Sequence, residues 1–304
     1  MIIRPALAWA ASSLLLLAAC GGTDNLSPFI AGQGEEDGAA PDPDEVITGV
    51  PEILANNLSA ISFNAAANSW DVTLTSLDSG TEAGTYTAAP SINVGPYLAY
   101  TVQDDSLDRF FTLLIQESAD ASIRAGAVAD GGQFNRFFGG SFYERTGAYD
   151  PATGLAEYTG SYAGVTNIDG DGALLLTPPA GTDPNDLPGQ SDRVSGDVFV
   201  NVDFVDNAIN GAIRNRVLIE NGNALEDLVL IVTDIDANGA FLGEVENEEF
   251  DGLGNYGGII GGTAGQYIGG AVYVQDYTDD FLNEEEYGVF VLENCDTSGD
   301  PSCP

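Results

Sequence analysis

The chain has 304 residues, of which 47 are Asp or Glu and only 8 are Lys or Arg; it has no His, and its formal net charge is −39. A surface this negative repels nucleic acid and anionic lipid. Without imidazole there is no Ser-His-Asp or Cys-His catalysis and no His-ligated zinc, copper or haem.

The opening residues, MIIRPALAWAASSLLLLAAC, carry one early basic residue, Arg4, an apolar run from Ala6 to Ala19, and then Cys20. This is the layout of an export signal over residues 1–19. Leu17, Ala18, Ala19 and Cys20 resemble the bacterial lipobox, which implies that the Cys20 thiol is acylated and becomes the first residue of the mature chain. The apolar run is too short for the roughly 20 residues that a spanning helix needs. The expected attachment is therefore a lipid anchor, with each buried methylene worth about 0.8 kcal/mol. Gly21 follows the cysteine where Asp would favour the inner membrane, so delivery to the outer membrane and the cell surface is expected.

Residues 20–49 are acidic and rich in Gly and Pro, too poor in apolar side chains to build a core, and read as a disordered tether. Beyond them the period becomes two. In SWDVTLTSL the residues Trp70, Val72 and Leu74 fall on one face and Asp71, Thr73 and Thr75 on the other, as in a half-buried strand. PYLAYTVQ, RFFTLLIQ, ASIRAGAVA and QFNRFFGGSFYER repeat the alternation between turn-forming clusters. Residues 50–148 are thus expected to form a smaller β-rich domain, with Phe110, Phe111, Phe137 and Phe138 in its core.

Residues 149–294 are more regular, with candidate strands at about 155–165, 172–177, 194–205, 209–220, 226–235, 239–247, 254–262, 266–276 and 286–293. Short connections of hairpin length imply an antiparallel meander of about eight strands, and closure into an up-and-down β-barrel removes its two edges. The fold class is all-β. The segment GNYGGIIGGTAGQYIGGAVYV, 254–274, fits such a barrel: glycine permits sharp coiling and leaves room for the rings of Tyr256, Tyr267 and Tyr273. In the tail at 295–304, Cys295 and Cys303 are an expected disulfide outside the cytoplasm.

Four stretches occur in a telling order: TGLAEYTGSYAG (153–164), SGDVFVNVDFVDNAINGAIRN (195–215), GAFLGEVE (239–246) and the glycine-rich 254–274. Together, over about 150 residues, they resemble the transferrin-binding protein B family of outer-membrane lipoproteins. The resemblance implies a β-rich handle at 50–148 and an eight-stranded barrel, exported to the outer surface to hold a solute or protein partner and expected to serve a nutrient receptor.

Asp234, Asp236, Asn238 and Gly239 match the first positions of a calcium loop, but Val245 stands where the closing carboxylate belongs, and a hairpin turn is the expected structure. Asn167, Asp169 and Asp171 form a second partial match. Calcium held loosely by clustered rim carboxylates, as in an acidic coat or adhesion protein, is the alternative; no other cofactor is expected. Asp78 in LDSGTE stands in an Asp-Ser-Gly tripeptide like that of aspartic hydrolases, but it has no second copy, and the expectation is that the chain is not an enzyme. Arg214 and Arg216 sit two apart in INGAIRNRVLIE. On one strand face they could grip an anionic ligand or, as is expected, neutralise neighbouring acidic strands.

Overall fold

The computed structural model describes residues 49–76, 80–278, 281–298 and 303, together with two short strands at 29–30 and 46–47. The signal segment, Cys20 and Asp78 lie outside the described residues. The strands at 29–30 and 46–47 are β1 (Phe29–Ile30) and β2 (Val46–Ile47), and they stand within the stretch expected to be a free tether. After them come a single helical turn α1 (Glu52–Ala55), β3 (Leu58–Asn64), β4 (Ser69–Ser76), β5 (Gly80–Ala88), β6 (Leu98–Val102), β7 (Phe111–Glu117), β8 (Ile123–Asp130) and β9 (Gly139–Thr146). The sheet order is β1-β3-β4-β5-β6-β7-β8-β9-β2. The two tether strands therefore cap both edges of the handle sheet, Phe29 opposite Ile61 and Ile47 opposite Arg145. Unpaired edge N–H and C=O groups are what such short apolar pieces satisfy. The alternation of Trp70, Val72 and Leu74 places all three in the core.

The second unit is a closed barrel of eight antiparallel strands: β10 (Leu155–Asp169), β11 (Ser191–Asp203), β12 (Ala208–Leu218), β13 (Leu228–Asp234), β14 (Ala240–Glu246), β15 (Gly252–Gly261), β16 (Tyr267–Gln275) and β17 (Glu285–Asn294). Closure is made by β17 on β10, with Tyr162 opposite Phe290 and Thr166 opposite Glu286. Inward residues such as Val198, Val200, Ile213, Ile260, Val272 and Phe290 are buried and fill the interior. The expected strand at 172–177 does not exist. Leu174–Leu176 belong to the connection between β10 and β11, where Pro178, Pro179, Pro184 and Pro188 lack the N–H groups a ladder requires.

The glycines of β15 and β16 create space on both faces of the wall. On the inside, a Cβ at Gly258 would meet the Phe241 ring at 2.5 Å, and one at Gly270 the Phe290 ring at 2.2 Å. On the outside, Cβ atoms at Gly257, Gly261 and Gly269 would meet handle side chains: Leu54 at 2.9 Å, and Ile123 at 2.7 and 2.5 Å. Curvature is thus only part of the reason for so much glycine, which also forms the seat on which the handle rests.

Handle and barrel consequently share one core, in which Leu54, Ala125, Ala127 and Val128 of the handle pack with Ala163, Val165, Ile259, Ala271, Val289 and Val291 of the barrel wall. Buried Arg145 reaches across the junction, donating from Nη1 to the carbonyls of Asn238 (2.7 Å) and Ile260 (2.8 Å). The Tyr97 hydroxyl donates to Ser161 O at 2.9 Å and accepts from Val291 N at 3.1 Å. Cys295 and Cys303 form a disulfide, and Thr159 Oγ1 of β10 lies 3.3 Å from the Cys303 sulfur. No helix among the described residues is long and apolar enough to cross a membrane. The exposed or half-exposed Asp197, Asn201, Asp203, Asn210 and Arg214 on β11 and β12 interrupt the outward apolar band that a transmembrane barrel needs.

Candidate functional site

Antiparallel order sends the connections after β10, β12, β14 and β16 to one end of the barrel. The handle turns after β6 and β8 reach the same end and bond to it. Gln133 Nε2 donates to Leu107 O (2.9 Å) and to Asp186 O (2.8 Å), while Leu176 N donates to Gln103 Oε1 at 2.8 Å. Gly189 N donates to Gly132 O at 2.8 Å, and a Cβ on Gly131 would stand 2.3 Å from the Gly189 carbonyl carbon, so the two loops touch backbone to backbone.

This end exposes several large apolar side chains. Phe134 is 62% exposed and Leu282 89%, with Leu107, Leu174, Leu176 and Leu187 nearby in the chain's loops. Between handle and barrel lies a cleft of about 760 Å³, lined by Phe134, Phe137, Asn167, Leu187, Leu282 and Glu285 among others. An aromatic row stands beside it: Phe137 to Tyr287 at 5.6 Å between centroids and Tyr287 stacked on Tyr273 at 5.1 Å. Tyr273 OH donates to Glu285 Oε2 at 2.9 Å, and burial raises the Glu285 carboxyl above its ordinary pKa. Asn167 Oδ1 accepts from Glu285 N at 2.9 Å and its Nδ2 donates to Asn283 O at 2.9 Å, which fixes the last turn.

The Phe134–Asn135 turn is the sharpest feature here. Both residues have φ near 55°, with Gln133 and Arg136 exchanging backbone hydrogen bonds of 3.0 Å on either side. That is a type I′ hairpin turn, normally made by Asn-Gly, and a bulky residue in it is strained. Arg109 holds it. Its guanidinium pairs with Asp130, donates to Arg136 O and Gln133 O at 2.9 Å each, and lies over the Phe138 ring at 4.7 Å. Asp130 Oδ1 also accepts from Gly132 N (3.1 Å) and Phe138 N (3.0 Å).

Burial pushes the Asp130 carboxyl up to about 6, against the pull of Arg109 and the two N–H donors. A native value above the unfolded one of about 3.9 means that the folded state holds this proton more tightly. The stability this group contributes is therefore present below about pH 4 and is lost as pH rises through about 6. Lowering pH from about 7 to about 5 is expected to raise the urea midpoint of the wild type relative to Asp130→Asn. Midpoints that move in parallel would contradict this.

Arg214 and Arg216 do not share a face. Asn215 has φ 53° and the β11–β12 register shifts between Ser195 and Asp197, so the bulge turns one arginine outward and the other inward. Arg214 is exposed and 4.0 Å from Asp227. Arg216 is sealed inside the barrel: its guanidinium donates to Glu286 Oε2 (2.7 Å) and Glu226 O (2.7 Å), and it lies over the Tyr277 ring at 5.0 Å. Tyr162 OH donates to Glu286 Oε1 at 2.6 Å, and Thr166 Oγ1 and Tyr277 OH are 2.9 Å apart. Burial drives both tyrosine hydroxyls well above their ordinary pKa. Glu286 and Tyr162 carried no sequence signal except the vacated positions around them. A Cβ on Gly288 would fall 1.8 Å from Tyr162 OH, and one on Gly164 2.8 Å from Glu286 Oε1.

The acidic loops lie apart. Asp234, Asp236 and Asn238 are in the β13–β14 hairpin at the far end, where Asp236 Oδ1 accepts from Asn238 N (2.8 Å) and Ala240 N (2.9 Å), the bonding of a turn. Asp169 lines the cleft, and Asp171 Oδ1 accepts from Ala173 N (3.0 Å) and Gln190 Nε2 (3.3 Å). Among the described residues no three Asp, Glu or Cys side chains converge to hold a metal ion. Phe110, Phe111 and Phe138 are buried and Phe137 half-buried, as core residues. The arrangement offers contact surface, clefts and charge.

No protein-family model matches the sequence, and no curated protein is similar to it. Among solved structures the chain is similar to a transferrin binding protein B from Haemophilus parasuis, with 13% identity, a TM-score of 0.36, and 77% of this chain and 53% of that one covered. It is similar to the isotype 1 transferrin binding protein B of serogroup B Neisseria meningitidis (12%, TM-score 0.36, 80% and 42%) and to the N-lobe domain of lactoferrin binding protein B of Moraxella bovis (15%, TM-score 0.33, 60% and 79%). The chain spans about half the length of the transferrin-binding proteins that it resembles.

Proposed function

We propose that this chain is a lipid-anchored, non-catalytic binding module of the cell surface, which holds a protein partner against the loop end where handle and barrel meet and serves nutrient uptake beside an outer-membrane receptor. The observation that carries the reading is the coincidence, at one end of a filled barrel, of exposed Phe134, Leu282, Leu176 and Leu187 with exposed Asp104, Asp108, Asp171 and Asp186. An apolar centre with a charged rim is the anatomy of a protein interface, and exposed apolar groups gathered in one place mark such sites. A filled interior moves any solute site to the outer clefts. The acidic rim selects a partner of basic surface, so association should slow as salt rises.

The anchor is proposed at Cys20: palmitate labelling of wild-type cells and none of Cys20→Ser is expected, and equal labelling would remove the anchor from the account. For the site, the full-length protein is tested against captured partners, with transferrin as one protein to assay and a lysine-rich protein of similar size as the control for charge alone. Phe134→Ser with Leu282→Ser is expected to weaken binding by about 2 kcal/mol or more, the scale of interface hot spots. Leu155→Ser with Val205→Ser, at the opposite end, should leave it unchanged. Equal loss from both pairs, or from neither, would contradict the assignment.

A further inference from the structure

The Phe134 turn also bounds a second cavity, on its handle side, of about 360 Å³. Its floor is the ring pair Tyr86 and Phe111, both buried, with centroids 6.2 Å apart. Phe134 forms a wall, and Gly84 leaves an opening beside Val102 and Tyr86, where a Cβ would stand 3.3 Å and 3.5 Å from them. The cation in the lining, Arg109, is already committed to Asp130 and to two carbonyls. Asp104 and Asp108 line the same cavity, are exposed, and their carboxylates stand in no ion pair among the described residues.

The charge left over in the cavity is thus negative, above an aromatic floor. Anions are repelled from such a place, whereas a cation gains from the ring faces and from the carboxylates at once. The volume falls in the range of small-ligand sites. From this geometry we infer that the handle carries a binding site for an organic cation, a substituted ammonium or a guanidinium, seated on Tyr86 and Phe111, flanked by Phe134 and drawn in by Asp104 and Asp108. The site shares Phe134, Asp104 and Asp108 with the proposed docking face, but Tyr86, Phe111 and Gly84 belong to it alone, so Gly84→Leu tests it apart from that reading.

Equilibrium dialysis of the full chain with labelled choline and with a labelled tri-arginine peptide tests it. Saturable binding with Kd of about 1 mM or tighter is expected, and acetate and glucose should not bind. Asp104→Asn with Asp108→Asn should weaken it by about tenfold. Gly84→Leu, which plugs the opening, should abolish it, while both variants keep the wild-type circular dichroism and the Asp104→Asn, Asp108→Asn variant also keeps the wild-type melting temperature. Tighter binding of the peptide than of choline assigns the site to a protein side chain, and the reverse assigns it to a free solute. Failure of both probes to bind, or binding untouched by either variant, overturns the inference.

Discussion

Glu286→Ala is expected to lower stability by about 3 to 5 kcal/mol, the scale for leaving a buried charge without its partner. Arg216 and Glu286 are both fully buried, 2.7 Å apart, with Arg216 Nε lacking an acceptor among the described residues. Removing the carboxylate strands the guanidinium and also frees the Tyr162 hydroxyl, which donates to Glu286 at 2.6 Å. Arg216→Met with Glu286→Leu should regain much of the loss, because an apolar pair of similar volume avoids the desolvation of both charges. Denaturant titration of Arg216→Met, Glu286→Leu and the double variant reads the coupling directly. Additive losses, with the double variant the least stable, would show that the pair does not act as one buried unit.

Gly261→Val with Gly269→Val should cost at least about 1 to 3 kcal/mol, the scale of one overpacked site, since the two share Ile123 and their costs do not simply add. Both glycines face the handle, and both added side chains would enter the space of Ile123; at Gly261 the Arg145 stem is also within 3.0 Å. Arg145 is the residue that bonds to Asn238 O and Ile260 O across the junction. The expected calorimetric result is a single transition in the wild type that separates into two in the variant, with the handle melting first. One undivided transition at the wild-type temperature would mean that the seat is not where handle and barrel are joined.

Strand-level features were legible in the sequence because burial on one face imposes a period of two. Trp70, Val72 and Leu74 lie where that period places them, and the closely spaced hairpins from β11 to β17 led to closure. The period fails where the backbone departs from it: Asn215 in a left-handed conformation sends Arg214 and Arg216 to opposite faces. Leu174–Leu176 read as a strand because composition alone does not reveal that the prolines after them deny a ladder partner. The glycines of β15 and β16 advertised close packing without naming what would pack, which depended on Leu54 and Ile123 far away in the chain. The site was the least legible part, since the Phe134–Asn135 turn lacks the Asn-Gly signature of its type and is held by Arg109 and Asp130 rather than by its own residues.

Hydrogen exchange of the full chain, alone and with its bound protein partner, tests the loop-end assignment most directly. Slowed exchange is expected in the handle turns at 104–109 and 131–137, in the barrel connection at 170–190 and in the turn at 281–284, with the strands and the β13–β14 hairpin unchanged. Protection that appears instead along the inward strands, or at the end bearing the disulfide, would contradict it.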